Sequence, residues 1–216
     1  SQFHSQEKKH IPLHSVFLGN PGTGKTTVAR MLGKIYKEAG FLSSGHVVET
    51  SRENLVAEYI GQTAQKTRRV VDSAKGGILF IDEAYSLTRN NADKQDFGTE
   101  VIEVLIKEID TNEDIIIIAA GYTEEMKIFI DSNNGLRSRF TNMFEFPDYT
   151  PDELWEILEY VAGKRGLKIG AEVKDLVYPY FVESYRNRES DFGNARLVCE
   201  LLEKAEMNLA VRSVEN

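Results

Sequence analysis

The sequence predicts an α/β fold: a parallel sheet covered by helices on both faces, followed by a small all-helical domain. Three observations predict it. Short runs that are apolar on both sides, Ser15–Leu18, Ile78–Ile81 and Ile115–Ile118, alternate with helix-patterned stretches, as the strands of a doubly covered parallel sheet do. The octet GNPGTGKT, Gly19 to Thr26, stands between the first such run and a helical pattern. After Pro147-Asp-Tyr-Thr-Pro151 every pattern is helical. The chain therefore divides into a lead-in over 1–12 with no assigned structure, an α/β domain over 13–147 and a helical domain over 148–216.

The 216 residues are 41% hydrophobic and 28% charged, enough for a proper core and against disorder. A net charge of −8 counts against a broad basic face for nucleic acid. The single cysteine, Cys199, excludes an internal disulfide framework and fits a reducing compartment, with the cytoplasm expected. No apolar run approaches the length of about 18 residues that a membrane span needs. The start, SQFHSQEKKH, is polar and carries no secretory signal; opening on Ser, it reads as part of something longer.

Element by element, Ser15–Leu18 is the first strand. In the helix after the octet, Val28, Met31, Leu32 and Ile35 fall on one face, and Gly40 closes it. His46–Thr50 is a short strand after the turn Ser43-Ser44-Gly45. Leu55, Val56 and Tyr59 suggest a brief helix that Gly61 interrupts. Thr63–Lys75 is helical, with Ala64, Thr67, Val70, Val71 and Ala74 inward. Ile78–Ile81 runs into Asp82-Glu83, and a polar loop, 88–96, precedes a helix from about Phe97 to Ile109. Ile115–Ile118 is the next strand and Met143–Phe146 a short last one. Thr150 is a helix N-cap, Pro151 its first residue and Glu153 the partner in a capping box. Asp152–Lys164, Glu172–Tyr185 and Asp191–Val211 are the helices of the second domain.

The octet fits the phosphate-binding loop G-x-x-x-x-G-K-[ST]. Gly22 and Gly24 let successive N–H groups point at an anion, and the next helix adds its positive end. Asn20, Pro21, Gly22, Thr23, Gly24, Lys25, Thr26 and Thr27 form the expected nucleotide-binding set. Lys25 reaches the β- and γ-phosphates, and Thr26 offers a hydroxyl to Mg2+. Asp82 and Glu83 end a buried strand, a costly place for carboxylates unless a cation is near. Asp82 is expected to hold the Mg2+ water shell and Glu83 to polarise the attacking water. No N-K-x-D sequence supplies guanine specificity, so ATP is the expected nucleotide.

With both motifs in place the arrangement resembles the AAA+ ATPases, a three-layer phosphate-loop fold with a helical lid. GNPGTGKTTVA, EYIGQTAQKT, GGILFIDEAYSL, IIIIAAGY, NGLRSRF followed by EFPDYTPDEL, and DFGNARLV are together similar to one branch. That branch holds the red-type Rubisco activases and the stage V sporulation protein K group, with type VII secretion ATPases more distant. The resemblance covers roughly 13–212 and implies a homo-oligomeric ring, usually a hexamer, with nucleotide at subunit boundaries. In Gly135-Leu-Arg137-Ser-Arg139-Phe140 two arginines are expected in a loop leading to the last strand. The resemblance implies that Arg139, or in reserve Arg137, enters the neighbour's site as an arginine finger, and that Arg196 in Gly193-Asn-Ala-Arg196 reaches back to its own subunit's phosphates. Tyr59-Ile60-Gly61 matches the loop that such proteins project into a central pore to grip a protein substrate; its spacing from Leu55 and Val56 also suits a core tyrosine. The strand after Ile115 departs from the family pattern. Gly121-Tyr122-Thr123 stands where a polar water-placing residue is usual, leaving that role unassigned between Tyr122 and Thr123. The front segment that helps enclose adenine is short here.

Other candidates carry less. Pro12 between His10 and His14 prevents a helical metal pair, and His4 and His46 have no visible partners. Cys199 and Trp155 lie on apolar helix faces. Lys66, Arg68 and Arg69 form a solvated face or a subunit contact. The expected activity is Mg-dependent ATP hydrolysis that remodels a protein partner. Rival readings are a DNA-handling ATPase of clamp-loader or branch-migration type and a scaffold that binds ATP without hydrolysing it.

Overall fold

The computed structural model describes residues 13–59, 61–88 and 97–214, the side chains of 212–214 excepted. The expected lead-in, Ile60 and most of the polar loop lie outside the described residues. Among those described, five strands form one parallel sheet: β1 (Ser15–Leu18), β2 (Val47–Thr50), β3 (Ile78–Ile81), β4 (Ile116–Gly121) and β5 (Asn142–Glu145), in the order β2-β3-β4-β1-β5.

Strand alternation divides the core into two layers. Val16, Leu18, Leu79, Ile81, Ile117 and Ala119 face one side. There they meet α2 (Arg52–Leu55), α3 (Thr63–Ala74), α4 (Phe97–Thr111), α5 (Thr123–Asp131) and α6 (Asn134–Arg139). Phe17, Ile78, Phe80, Ile116, Ile118 and Ala120 face the other side, against α1 (Lys25–Glu38) and Leu42. The lid holds α7 (Pro151–Lys164), α8 (Ala171–Arg186) and α9 (Ala195–Val214) around Trp155, Leu158, Phe181, Phe192 and Leu202. Its entry carries the full capping box: Thr150 Oγ1 accepts from the Glu153 N–H, and the Glu153 carboxylate accepts from the Thr150 N–H.

Four local expectations are corrected. On α1 the buried stripe is Lys25, Ala29 and Gly33; of the expected set, Val28 and Leu32 pack half-buried against the core, while Met31 and Ile35 are 57% and 52% exposed. The reason is closeness: a Cβ on Gly33 would sit 2.3 Å from the Gly45 carbonyl oxygen, so small residues must face inward. The helix at Leu55 ends there, because Val56 is extended (ψ 136°), and Tyr59 falls beyond it. The last helix starts at Ala195 rather than Asp191. Arg137 and Arg139 stand on α6 instead of a loop, since Asn133 Oδ1 accepts from the Gly135 and Leu136 N–H groups and caps a short helix.

Candidate functional site

The site lies at the C-terminal ends of the strands, where an open parallel sheet leaves a crevice. β4 sits between β1 and β3, so its last residue, Gly121, is flanked by the phosphate loop on one side and by Asp82 on the other. The Gly19 N–H donates to the Gly121 carbonyl at 3.1 Å and ties the loop to that strand end. Together they bound a cleft of about 290 Å³ lined by Pro21, Gly22, Gly24, Lys25, Thr26, Thr27, Asp82, Glu83, Tyr122 and Arg196. The structure thus brings together most of the residues that the two motifs single out, with Arg196 arriving from the lid. Asn20 and Thr23 stand just behind, in the loop itself.

The loop's shape follows from its glycines. Gly22 and Gly24 have φ of 71° and 90°, left-handed values that other residues adopt only under strain. A Cβ on Gly22 would stand 2.2 Å from the Gly193 carbonyl oxygen, so the lid presses directly on the loop. Lys25 opens α1 and is buried. Its ammonium donates to the carbonyls of Gly19 (2.8 Å) and Asn20 (2.7 Å). Burial pushes its pKa below the usual lysine value, the Asp82 carboxylate opposes that, and Arg196 adds to it. Arg196 is therefore near enough to Lys25 for their charges to repel, an arrangement that suits an anion-binding pocket.

Asp82 and Glu83 are both exposed to the cleft. Asp82 Oδ1 accepts from the Glu83 N–H at 3.0 Å. Glu83 has φ 49°, a conformation rare outside glycine and tolerated where function holds it. The Thr26 hydroxyl and the Asp82 carboxylate are hard oxygen donors on one cleft, a set that fits Mg2+. No motif or spacing singles out Thr50. At the end of β2, its carbonyl accepts from the Asp82 N–H, while its buried Oγ1 has no hydrogen-bond partner in the structure.

Arg139 and Arg137 are not brought to this cleft. β5 begins at Asn142, in register with Ser15, so the preceding α6 ends beside the N-terminal edge of the sheet. The phosphate loop follows Leu18, at the opposite edge. Arg139 makes a two-pronged pair with Asp110, 2.7 and 2.6 Å, which raises its own pKa and holds the aspartate below the usual carboxylate range. Arg137 pairs with Asp131 at 3.1 Å and is more exposed.

Tyr59 is 67% exposed, so the core alternative for it is set aside; Gly61 beside it has φ 78° and open space around it. His14 is buried, its Nδ1 accepting from the Ile117 N–H at 3.0 Å, a structural role. Lys66 donates to the Glu53 and Val56 carbonyls and so ties α3 to the chain before it, while Arg68 and Arg69 are exposed. Trp155 is buried in the lid core and Cys199 half-buried. Tyr122 lines the cleft with its ring 6.1 Å from that of Tyr85. Among the described residues no helix is long and apolar enough to cross a membrane, and no cluster of His, Cys, Asp and Glu could hold a metal by itself. A larger cavity of about 720 Å³ lies at the other end of the sheet. Its lining includes Glu113 and Asp114 and neither Lys nor Arg, the wrong charge for phosphate.

Comparison with known proteins agrees with this geometry. The family model described as "ATPase family associated with various cellular activities (AAA)" matches residues 15–148, and one described as an AAA lid domain matches 150–216. Stage V sporulation protein K of Bacillus subtilis is 44% identical over 93% of this chain, which spans 62% of that protein. Protein CbbX of Cereibacter sphaeroides is 40% identical over 93% of the chain, which spans 64% of it. The chloroplastic ribulose bisphosphate carboxylase/oxygenase activase of Cyanidioschyzon merolae is 41% identical, again over 93% of this chain and 68% of its own length. The chain thus covers a little under two thirds of the first two relatives. Among solved structures, the FIGL-1 AAA domain in complex with ADP shares the fold, with a TM-score of 0.53, 19% identity, and coverage of 72% of this chain and 50% of that one. An α/β phosphate-loop domain followed by a helical lid, matched end to end in order, makes this chain a member of the AAA ATPase family.

Proposed function

We propose that this chain binds ATP with Mg2+ in the cleft between sheet and lid, hydrolyses it, and uses the cycle to remodel a protein partner as part of a ring, expected to be a hexamer. The observation that carries the reading is the convergence of Lys25, Thr26, Asp82, Glu83 and Arg196 on one cleft at the strand ends. The N–H groups of the left-handed loop and the start of α1 cradle the β- and γ-phosphates. Lys25 exchanges its two carbonyl acceptors for phosphate oxygens, with which its charge is better matched. Thr26 and Asp82 would hold Mg2+, which would neutralise the charge that develops on the β- and γ-phosphates. Glu83 accepts a hydrogen bond from the attacking water and aligns it with the γ-phosphorus. Arg196 adds positive charge from the lid and so links nucleotide state to lid angle.

In this reading Arg139, at the far edge of its own sheet, serves a neighbouring copy, with Arg137 in reserve; such a finger accelerates phosphoryl transfer by about 10³–10⁵-fold. The exposed Tyr59, with Ile60 and Gly61, supplies an aromatic grip without sequence preference. One relative is named for the enzyme it activates, which supports a protein as the substrate. The test is phosphate release from MgATP by the full chain with Glu83→Gln and Tyr59→Ala. Glu83→Gln should stop turnover while nucleotide still binds, and Tyr59→Ala should keep turnover but lose remodelling. Unchanged turnover in Glu83→Gln would leave a nucleotide-bound scaffold as the better reading.

A further inference from the structure

Five consecutive carbonyls of the phosphate loop, Gly19 through Thr23, all accept hydrogen bonds. Lys25 serves Gly19 and Asn20, and the Thr23 hydroxyl also donates to Asn20. The other three are served from the lid side. Asn194 Nδ2 donates to Pro21 O at 3.3 Å, the Ala195 N–H to Gly22 O at 3.1 Å, and the Tyr149 hydroxyl to Thr23 O at 3.0 Å. The Asn20 side chain joins them by donating to Asp148 Oδ1 at 2.9 Å.

Asn194 is the centre of this cluster. It is fully buried and holds φ 52°, left-handed for a residue that is not glycine. Its Oδ1 accepts from the Tyr149 N–H at 2.8 Å, and its two Nδ2 hydrogens are shared among Asp148 Oδ1 (2.8 Å), Phe192 O (2.9 Å) and the longer contact to Pro21 O. Every polar atom of the side chain is used, which is what holds such a backbone in place. A peptide whose carbonyl is fixed outward turns the next N–H the other way, because the unit is planar and trans. Anchoring Pro21, Gly22 and Thr23 at their carbonyls therefore aims the N–H groups of Gly22, Thr23 and Gly24 at the cleft.

We propose that Asn194, assisted by Tyr149, is a positioning residue for nucleotide: it touches no phosphate, and it sets the phosphate loop's anion-binding face from the lid. The loop is then half built by the second domain. When the lid turns away, the three carbonyls lose their donors, the amides lose their aim, and nucleotide is held less tightly. By reciprocity, bound nucleotide fixes the lid. The inference rests on the nucleotide reading above.

The test uses the full chain and MgADP, titrated by calorimetry well below the unfolding temperature, with hydrogen exchange followed at the amides of residues 22–25. Asn194→Gly keeps the left-handed backbone and removes the side-chain bonds; Tyr149→Phe removes one hydroxyl. The expected dissociation constants rise about tenfold and about threefold, the scale of one or two hydrogen bonds. Exchange at residues 22–25 should quicken in both variants without ligand, and the double variant should lose less than the product of the two. A residue that only glues the lid would lower the melting temperature and leave the dissociation constant alone. Wild-type affinity in both variants, whatever their melting temperatures, overturns the inference and spares the nucleotide reading. Should Asn194→Gly not fold, Tyr149→Phe decides by the same measure. Failure of the unmodified chain to bind MgADP would sink both.

Discussion

Replacing Gly22 and Gly24 separately by Ala should give unequal losses of stability, although the two glycines belong to one loop. Both are left-handed, so each substitution costs about 1–2 kcal/mol in backbone strain. At Gly24 the new methyl meets only the Tyr149 hydroxyl, at 3.0 Å, the tip of a side chain that can shift. At Gly22 it meets backbone: the Gly193 oxygen at 2.2 Å, the Arg196 nitrogen at 3.0 Å and the Ala195 nitrogen at 3.1 Å. Ordinary contact demands that the lid turn retreat by about 1 Å, which breaks the bonds to Gly22 O and Pro21 O, at about 1 kcal/mol each. Gly22→Ala should therefore cost about 3–4 kcal/mol and Gly24→Ala about 1–2. Urea unfolding at 25 °C reads both, since the single tryptophan, Trp155, is buried in the lid core and reports that domain directly. Equal losses, or a larger one at Gly24, would refute a lid seated on the loop.

Three further outcomes are expected. Arg139→Ala should leave MgADP affinity within twofold and cut turnover by about 10³-fold or more, and wild-type specific activity should rise with protein concentration; activity independent of concentration among monomers would contradict this. Thr50→Val should hold or raise the melting temperature, because it swaps a buried hydroxyl without a partner for a methyl group; a fall would mean that the hydroxyl is used in the folded state. Burial sets the folded Lys25 pKa below its ordinary 10.5, so the unfolded chain keeps that proton to higher pH. Stability from this group therefore rises as pH climbs through the folded pKa towards 10.5, while MgADP affinity falls over the same window. Titration from pH 7 to 10 should show that fall, and Lys25→Arg should flatten it.

The strands were legible because Ser15–Leu18 and Ile78–Ile81 are buried on both faces, which leaves an unbroken apolar run. The phosphate loop and the Thr150 capping box were legible because their chemistry is local: each needs particular residues at fixed spacing. The inner face of α1 was legible only in part: periodicity found Val28 and Leu32, while the close approach of Gly45 selects Gly33. Helix α6 was too short for its period to register against the loop signals around Asn133. Asn194 was hidden for a different reason. It bonds Pro21 across 173 residues of sequence, and nothing in its neighbours announces a side chain that completes another domain's loop. Sequence pointed two residues on, to the charge of Arg196.

The sheet puts Arg139 at the edge where its strands begin and the phosphate loop at the edge where they end. A copy that lends from one side and receives on the other is not satisfied by a two-fold partner, whose single contact would have to hold both edges at once. If Arg139 serves a neighbour's cleft, as proposed, copies would join head to tail, and an open row of them would leave one unfilled socket and one unused finger until its last member met its first. The turn between neighbours would then fix the number of members, and a damaged copy would silence the site of the next one along as well as its own.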